Sequence, residues 1–266
     1  MNTTKRTNLL IGLILATLVI MACSIGNFGA VRGSGNVVEE SRTVSGVTGV
    51  ELATLGNLTI ELGDKESFRI EAEDNLMEYL ETDMVAGTFR IKTKDRVRIN
   101  NTQPVNYYLT VKSLDSIKIS SSGDIYAPDL ESDEFSINIS SSGDLEMGDL
   151  DAETLTVKIS SSGDVTMGLL TADSLDVNIS SSGTLDIAGG EVKTQNIVIS
   201  SSGDYTALDM ESEEADVHLS SSGSATIWVR DTLIANLSSS GNLHYRGDAS
   251  VNANTSSSGD VIQISE

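Results

Sequence analysis

Hydrophobic and polar residues alternate with a fixed period over the second half of the chain. The phrase Ser-Ser-Ser-Gly occurs eight times, with five successive spacings of 20 residues and two of 18. Apolar residues stand four, six and eight positions before most of its glycines, and two and four positions after them. Such alternation predicts two short, half-buried β-strands in each repeat. The closing glycines are Gly123, Gly143, Gly163, Gly183, Gly203, Gly223, Gly241 and Gly259.

One repeat cannot bury its apolar face alone, but stacked copies share a continuous core. A further apolar residue seven positions after the glycine, such as Leu150 or Leu170, gives each coil a third and looser side. We therefore predict an all-β, right-handed parallel β-solenoid (β-helix) with coils of about 20 residues. A left-handed hexapeptide helix is disfavoured because no six-residue period is present, and a propeller blade needs about 40 residues. In this register Ile139, Ile159 and Ile179 should lie buried above one another.

The serine phrase falls where the chain turns from one strand to the next. Glycine tolerates positive φ and lets the backbone turn without a Cβ clash, and serine hydroxyls can bond to nearby backbone groups or to the same serine of the adjacent coil. The phrase therefore predicts a structural turn.

The first 34 residues have the composition of an export signal and a tether. Residues 1–22 carry Lys5 and Arg6 before 13 largely apolar residues, which is too short for a membrane span and typical of a signal peptide. Ile20-Met21-Ala22-Cys23 resembles a bacterial lipobox, which implies cleavage before Cys23 and acylation of Cys23, the sole cysteine. An ordinary signal peptide with an incidental cysteine is the alternative. Residues 23–34 are predicted to be a tether, and the chain is expected to be extracytoplasmic, anchored to the cell membrane or to an outer membrane.

The solenoid domain is predicted over residues 35–266. Residues 113–266 hold the eight serine coils, and residues 35–112 are expected to form irregular capping coils, since terminal units of solenoids are atypical. Val50 to Ile60 align with Ile117 to Ala127 of the first serine coil.

Three features carry a resemblance to a known family: an exported head, the Gly-Ser-Gly-Asn opening at Gly33 to Asn36, and Asp74-Asn75-Leu76 ahead of reiterated Ser-Gly-Asp coils. Over residues 33–264 the chain resembles the putative auto-transporter adhesin, head GIN domain family. The resemblance implies a right-handed β-helix in the cell envelope and carries no catalytic motif.

The charge narrows the classes of partner. The formal net charge is −22, and loss of Lys5 and Arg6 with the signal makes it −24. Such a surface disfavours nucleic acid and anionic lipid, and it attracts cations or basic partners. Asp124, Asp144 and Asp164 each follow a repeat glycine. They are either turn caps or, as an alternative, ligands of a cation such as calcium.

Other functional classes have little support. A carbohydrate-active β-helix enzyme would need clustered acids with a basic or metal partner, and the sequence has no nucleophile elbow, zinc spacing or phosphate loop. An ice-binding solenoid favours threonines on a flat strand, whereas these serines lie in a turn. No cofactor is implied.

The favoured interpretation is a non-catalytic, lipid-anchored adhesin or envelope scaffold that binds a surface glycan or a protein. Trp228, His244 and Arg246 are the candidate ligand-facing residues, because the fifth residue after the glycine changes from small in the middle coils to Leu208, Trp228 and Arg246 in the last coils. An aromatic ring beside a cation suits stacking on a sugar or on a side chain. Trp228 folding over the end of the coil as a cap is the alternative.

Overall fold

The computed structural model describes residues 29–256 and 258–265. The predicted signal segment, Cys23 and the first part of the predicted tether lie outside the described residues. Over the described residues, no helix is long and apolar enough to cross a bilayer.

The serine coils form a parallel β-solenoid. In each coil a short strand follows the serine turn, and a longer strand then runs through the third side of the coil to the next turn; in the middle coils the two merge. The strands are β10 (Ser116–Ile119), β11 (Asp124–Ala127), β12 (Leu130–Ile139), β13 (Leu145–Met147), β14 (Leu150–Ile159), β15 (Val165–Ile179), β16 (Thr184–Ile199), β17 (Asp204–Leu219), β18 (Ser224–Leu237), β19 (Leu243–Arg246), β20 (Ser250–Thr255) and β21 (Val261–Gln263).

The register between neighbouring coils follows the sequence period. Residue i pairs with residue i+20 from β12 to β16, so Ile139 lies beside Ile159 and Ile159 beside Ile179. All three are fully buried, and Leu150 and Leu170 on the third side are buried as well. The predicted parallel β-solenoid with coils of about 20 residues and its isoleucine column are confirmed.

The preceding strands continue the solenoid and then close it. Their bounds are β1 (Ala30–Arg32), β2 (Val37–Arg42), β3 (Gly49–Ala53), β4 (Asn57–Leu62), β5 (Ser67–Glu73), β6 (Leu80–Val85), β7 (Thr88–Thr93), β8 (Arg98–Asn100) and β9 (Asn106–Val111), with a 3₁₀ turn at Met77–Tyr79.

The register places β3 and β4 as an earlier coil beneath the serine coils. Val50 pairs with Ile117 and Leu58 with Ile125, as the sequence alignment predicts. Strands β7 and β9 add one further parallel layer. Antiparallel strands β6, β5 and β2 then close the end of the two stacks.

The two short motifs of the N-terminal part contact each other in this cap. The Ser34 hydroxyl donates to Asp74 Oδ1 at 2.5 Å, and Asn36 Nδ2 donates to Asp74 Oδ2 at 2.9 Å. The Gly35 N–H donates to Glu73 at 2.6 Å, and Glu73 is fully buried. The Gly-Ser-Gly-Asn opening is therefore part of the folded cap.

The predicted tether over residues 23–34 is corrected at its C-terminal end. Ala30–Arg32 forms β1, which pairs in parallel with β8, and the Gly33 N–H donates to the Asn100 carbonyl at 3.0 Å. These backbone hydrogen bonds fix residues that the sequence alone suggests are extended and free.

Of the two reasons expected for the repeat glycines, positive φ is wrong and avoidance of a Cβ clash is confirmed. None of them has positive φ among the described residues; positive φ occurs at other glycines, such as Gly46 and Gly190. A Cβ on Gly163 would lie 2.7 Å from Ile139 Cγ2 and 2.8 Å from the Ser141 carbonyl oxygen, and closer still to the Gly143 carbonyl oxygen. Glycine is needed because successive turns stack too closely for a side chain.

Candidate functional site

The first 18-residue coil changes register within β18, and this change sets the position of Trp228. Ala207 pairs with Ile227 in the usual way, but the next paired residues are Glu211 with Trp228 and Ser212 with Val229. The shortened coil has lost residues between these points. Trp228 therefore lies beside Glu211 of the preceding coil, and its predicted alignment with Leu208 was wrong.

Trp228 and Arg246 lie on adjacent strands, as predicted. They are paired residues of β18 and β19, and the guanidinium carbon of Arg246 lies 4.1 Å from the centroid of the Trp228 ring. Arg246 also forms an ion pair with Asp209 at 3.3 Å. The indole is partly exposed, so the stacked pair presents an aromatic and cationic surface to solvent.

His244 lies two residues before Arg246 on β19. Its register partners are Thr226 and Ile262, and its side chain is partly exposed. Because side chains two apart share one face of a strand, His244 is on the same face as Arg246. The structure thus places all three predicted ligand-facing residues near one another, and their binding role remains a prediction.

A buried hydrogen-bond chain holds the backbone of Trp228. The Tyr205 hydroxyl donates to Gln195 Oε1 at 3.1 Å, and Gln195 Nε2 donates to the Ser212 hydroxyl at 2.7 Å. Ser212 in turn donates to the Trp228 carbonyl at 2.8 Å. Burial raises the pKa of Tyr205, so its hydroxyl stays protonated. These hydrogen bonds satisfy buried polar groups at the register change, where the backbone pairing of β17 with β18 is irregular.

A groove of about 930 Å³ runs across successive coils on the third side. The residues of its first wall pair with one another from strand to strand and so form one column across the coils. Trp228 and then Arg246 continue this column beyond the groove. The second wall stands two residues further along each coil and ends at Arg230. The first wall consists of Glu131, Asp151, Thr171, Glu191 and Glu211, and the second of Asp133, Glu153, Asp173, Lys193, Glu213 and Arg230.

The groove is acidic, and two of its three basic residues, Lys193 and Arg230, form ion pairs towards one end. Eight of its lining residues are acidic and three are basic. Lys193 lies 2.5 Å from Asp173, and Arg230 lies 3.2 Å from Glu211 and 3.3 Å from Glu213. A hydrogen bond to Asp231, together with the charges of Glu213 and Glu211, raises the pKa of Arg230. These exposed pairs position the side chains more than they stabilise the fold.

The aspartates after the repeat glycines cap the neighbouring turn. Asp124 Oδ1 accepts the Asp144 N–H at 3.0 Å, and Asp144 Oδ1 accepts the Asp164 N–H at 2.8 Å. Asp164 Oδ1 accepts the Thr184 N–H at 2.7 Å. Over the described ranges, no group of three or more His, Cys, Asp or Glu side chains is arranged to hold a metal ion. Calcium binding by Asp124, Asp144 and Asp164 stays a prediction, for calcium titration to test.

Alignment of the coils on their glycines missed the groove as a site, although its signal is present. Acidic residues recur eight and ten positions after the glycine, as at Glu131 and Asp133, then at Asp151 and Glu153. The sequence shows these columns, but it does not show that the surface between them is concave.

Comparisons with known proteins agree with this architecture. A putative adhesin from Parabacteroides merdae has a TM-score of 0.83 at 21% identity, covering 89% of this chain and 100% of its own. A putative lipid binding protein from Parabacteroides distasonis has a TM-score of 0.82 at 23% identity, with the same coverage. A putative adhesin from Bacteroides fragilis has a TM-score of 0.64 at 18% identity, covering 88% of this chain and 100% of its own. At these identities the likeness shows the fold alone.

No match was found among curated proteins. The family model described as "Putative auto-transporter adhesin, head GIN domain" matches residues 46–168 and 148–249, which is more than half of the chain. The chain therefore belongs to the putative auto-transporter adhesin, head GIN domain family.

Proposed function

We propose that this chain is a non-catalytic, adhesin-like binding module held at the cell surface by a lipid on Cys23. The observation that carries the proposal is the Trp228–Arg246 stack, which lies just beyond the end of the acidic groove. Membership of a family described as adhesins and the relatives named putative adhesins support it.

The geometry suits contact with a glycan or a protein surface. The partly exposed indole offers apolar surface for a sugar ring or a planar side chain, and the Arg246 guanidinium stacked over the ring supplies hydrogen-bond donors. Arg246 already has Asp209 as an ion-pair partner, so a ligand would meet a pre-positioned guanidinium. Aromatic and arginine side chains are the commonest energetic centres of protein interfaces.

Binding is tested with Trp228→Ala. A glycan array and an extract of candidate surface proteins are first screened with the wild-type chain, and affinity for any hit is then measured for both proteins. We expect at least a tenfold loss, because removal of an interface anchor typically costs about 2 kcal/mol or more. The Ser212 hydroxyl bonds to the Trp228 carbonyl, so alanine leaves this structural hydrogen bond in place.

Tyr126→Ala is the matched control. Tyr126 is an aromatic residue with 42% exposure on β11, several coils away from Trp228, and its loss should leave affinity unchanged. Equal affinity of wild type and folded Trp228→Ala would refute the assigned contact surface.

The anchor is tested separately with Cys23→Ser. An acylated chain fractionates with membranes after a carbonate wash, and the variant should move to the soluble or secreted fraction. A variant that stays with the washed membranes would show that acylation of Cys23 is not what holds the chain there.

A further inference from the structure

The last coil presents two strand edges without a partner in the described chain. β20 pairs only with β18, and β21 pairs only with β19. All six residues of β20 are exposed, Val251 by 38%, and Ile262 on β21 is 41% exposed. An unpaired edge leaves a row of N–H and C=O groups able to pair with another strand.

The opposite end of the solenoid shows how such an edge is normally protected. Its outer strands β2 and β6 carry charged residues, among them Glu39 and Arg42 on β2 and Glu81 and Asp83 on β6. Charges on an edge strand oppose pairing with other chains. Between residues 249 and 265 the sole ionisable side chain is Asp260, although 21% of the whole chain is charged. Within the described residues, the edge formed by β20 and β21 lacks the charged side chains that protect the N-terminal edge.

The core columns also reach the surface at this end. Val251 pairs with Leu233, Ala253 with Ala235 and Thr255 with Leu237. Those three partners are buried, whereas β20 is exposed throughout. A strand placed against β20 would satisfy its backbone groups and cover Val251 in one step.

We propose that this edge binds a second copy of the chain through antiparallel pairing of β20 with β20 of that copy. A two-fold axis along the sheet normal, midway between the Ala253 residues of the two copies, reverses the strand while keeping the core faces of both copies on the same side. Val251 then lies opposite Thr255 of the second copy, and Asn252 lies opposite Asn254. Such an interface is self-complementary and closes after two copies.

Charge favours a second copy over a basic partner at this end. Two chains of net charge −22 repel each other over most of their surfaces, and repulsion is weakest where charge is absent. A basic partner would instead be attracted to the acidic groove on the side of the solenoid.

The position of the edge gives the pairing a consequence for adhesion, which rests on the proposed lipid anchor. Ten parallel strands separate the N-terminal cap from the outer edge, from β7 to β20. At a spacing of about 4.8 Å they span about 43 Å. A lipid near the N-terminal end would leave the C-terminal edge pointing away from its membrane, so end-to-end pairing would join two facing surfaces.

Sedimentation equilibrium of the full chain with Cys23→Ser tests the pairing, since this background excludes association through lipid. We expect a reversible dimer. Asn252→Lys with Asn254→Lys places like charges opposite each other twice, and should raise the dissociation constant about tenfold. Asn252→Lys with Asn254→Glu places opposite charges together and should retain the dimer. Glu81→Lys, on the N-terminal edge, should have no effect.

Small-angle scattering of the same samples should give an end-to-end dimer, with a maximum dimension about twice that of the monomer. A monomer at every concentration, a side-by-side dimer, or equal association of the Lys/Lys and Lys/Glu variants would overturn the proposal. None of these results decides the role of Trp228, which is tested separately by the affinities of wild type, Trp228→Ala and Tyr126→Ala.

Discussion

Replacing Gly163 with alanine tests why a glycine closes each serine turn. The turns stack directly, and a Cβ at this position would lie less than 3 Å from the carbonyl oxygens of Gly143 and Ser141 and from Ile139 Cγ2. Two of these three atoms belong to the backbone, so no change of side-chain rotamer relieves the contact. The coils would have to separate locally, weakening the hydrogen bonds between them.

The magnitude follows from the cost of overpacking. Extra methyl groups in a well-packed interior cost about 1–3 kcal/mol. For a domain of this size each kcal/mol lowers Tm by about 2–4 °C, so Gly163→Ala should melt about 2–12 °C below wild type.

Thermal and urea unfolding, followed by circular dichroism, measure this loss. Ser162→Ala, in the same turn and exposed, is the control and should stay within about 0.5 kcal/mol of wild type. Gly46→Ala separates the two possible reasons for a glycine, because φ is +73° there and no atom lies within 4 Å of its Cβ. Asparagine tolerates positive φ, so Gly46→Asn should be more stable than Gly46→Ala. Gly163→Asn should be no more stable than Gly163→Ala. If Gly163→Ala were as stable as Ser162→Ala, close stacking of the turns would not be the reason for the glycine.

Three further predictions concern the core, the register change and the cap. Ile159→Ala should cost about 2–5 kcal/mol in urea unfolding, since Ile159 is fully buried; a loss below 1 kcal/mol would contradict its place in the core. Ser212→Ala leaves the Trp228 carbonyl without its donor and should cost about 1–3 kcal/mol, with a changed tryptophan emission spectrum; an unaltered spectrum and stability would argue against the buried chain. Burial raises the pKa of Glu73, but hydrogen bonds from the Thr102 hydroxyl and from the Thr102 and Gly35 N–H groups outweigh it, so the pKa is lowered from 4.5. The ionised Glu73 therefore contributes stability above pH 4.5 that is lost as pH falls through the folded-state pKa. In Glu73→Gln the decline of Tm at acid pH should be shallower than in wild type. An unchanged dependence of Tm on acid pH would contradict this role.

The periodic part of the fold was predictable from the sequence. Alternation at a 20-residue period places Ile139, Ile159 and Ile179 in one column, because a solenoid repeats its environment with each coil. Even the degenerate coil around Val50 and Leu58 keeps enough of the pattern to align.

Features that depend on local packing were not predictable. An 18-residue coil must lose residues somewhere, and alignment on Gly223 put Trp228 beside Leu208. In the structure Val229 is fully buried and pairs with Ser212, and this packing decides the register. Strand β1 has no apolar alternation to reveal it, since it is held by backbone pairing with β8. The groove likewise depends on the shape of the coil, which residue types alone do not specify.

Attachment of cells that display the chain tests the central claim of surface binding most directly. Wild-type, Trp228→Ala and Tyr126→Ala chains are displayed in equal amounts, checked by antibody labelling, and adhesion is counted under flow on the surface selected by the binding screen. We predict that cells with Trp228→Ala attach no better than cells lacking the chain, while Tyr126→Ala cells attach as wild type does. Equal attachment by wild-type and Trp228→Ala cells, or no gain of wild-type cells over cells lacking the chain, would contradict the account.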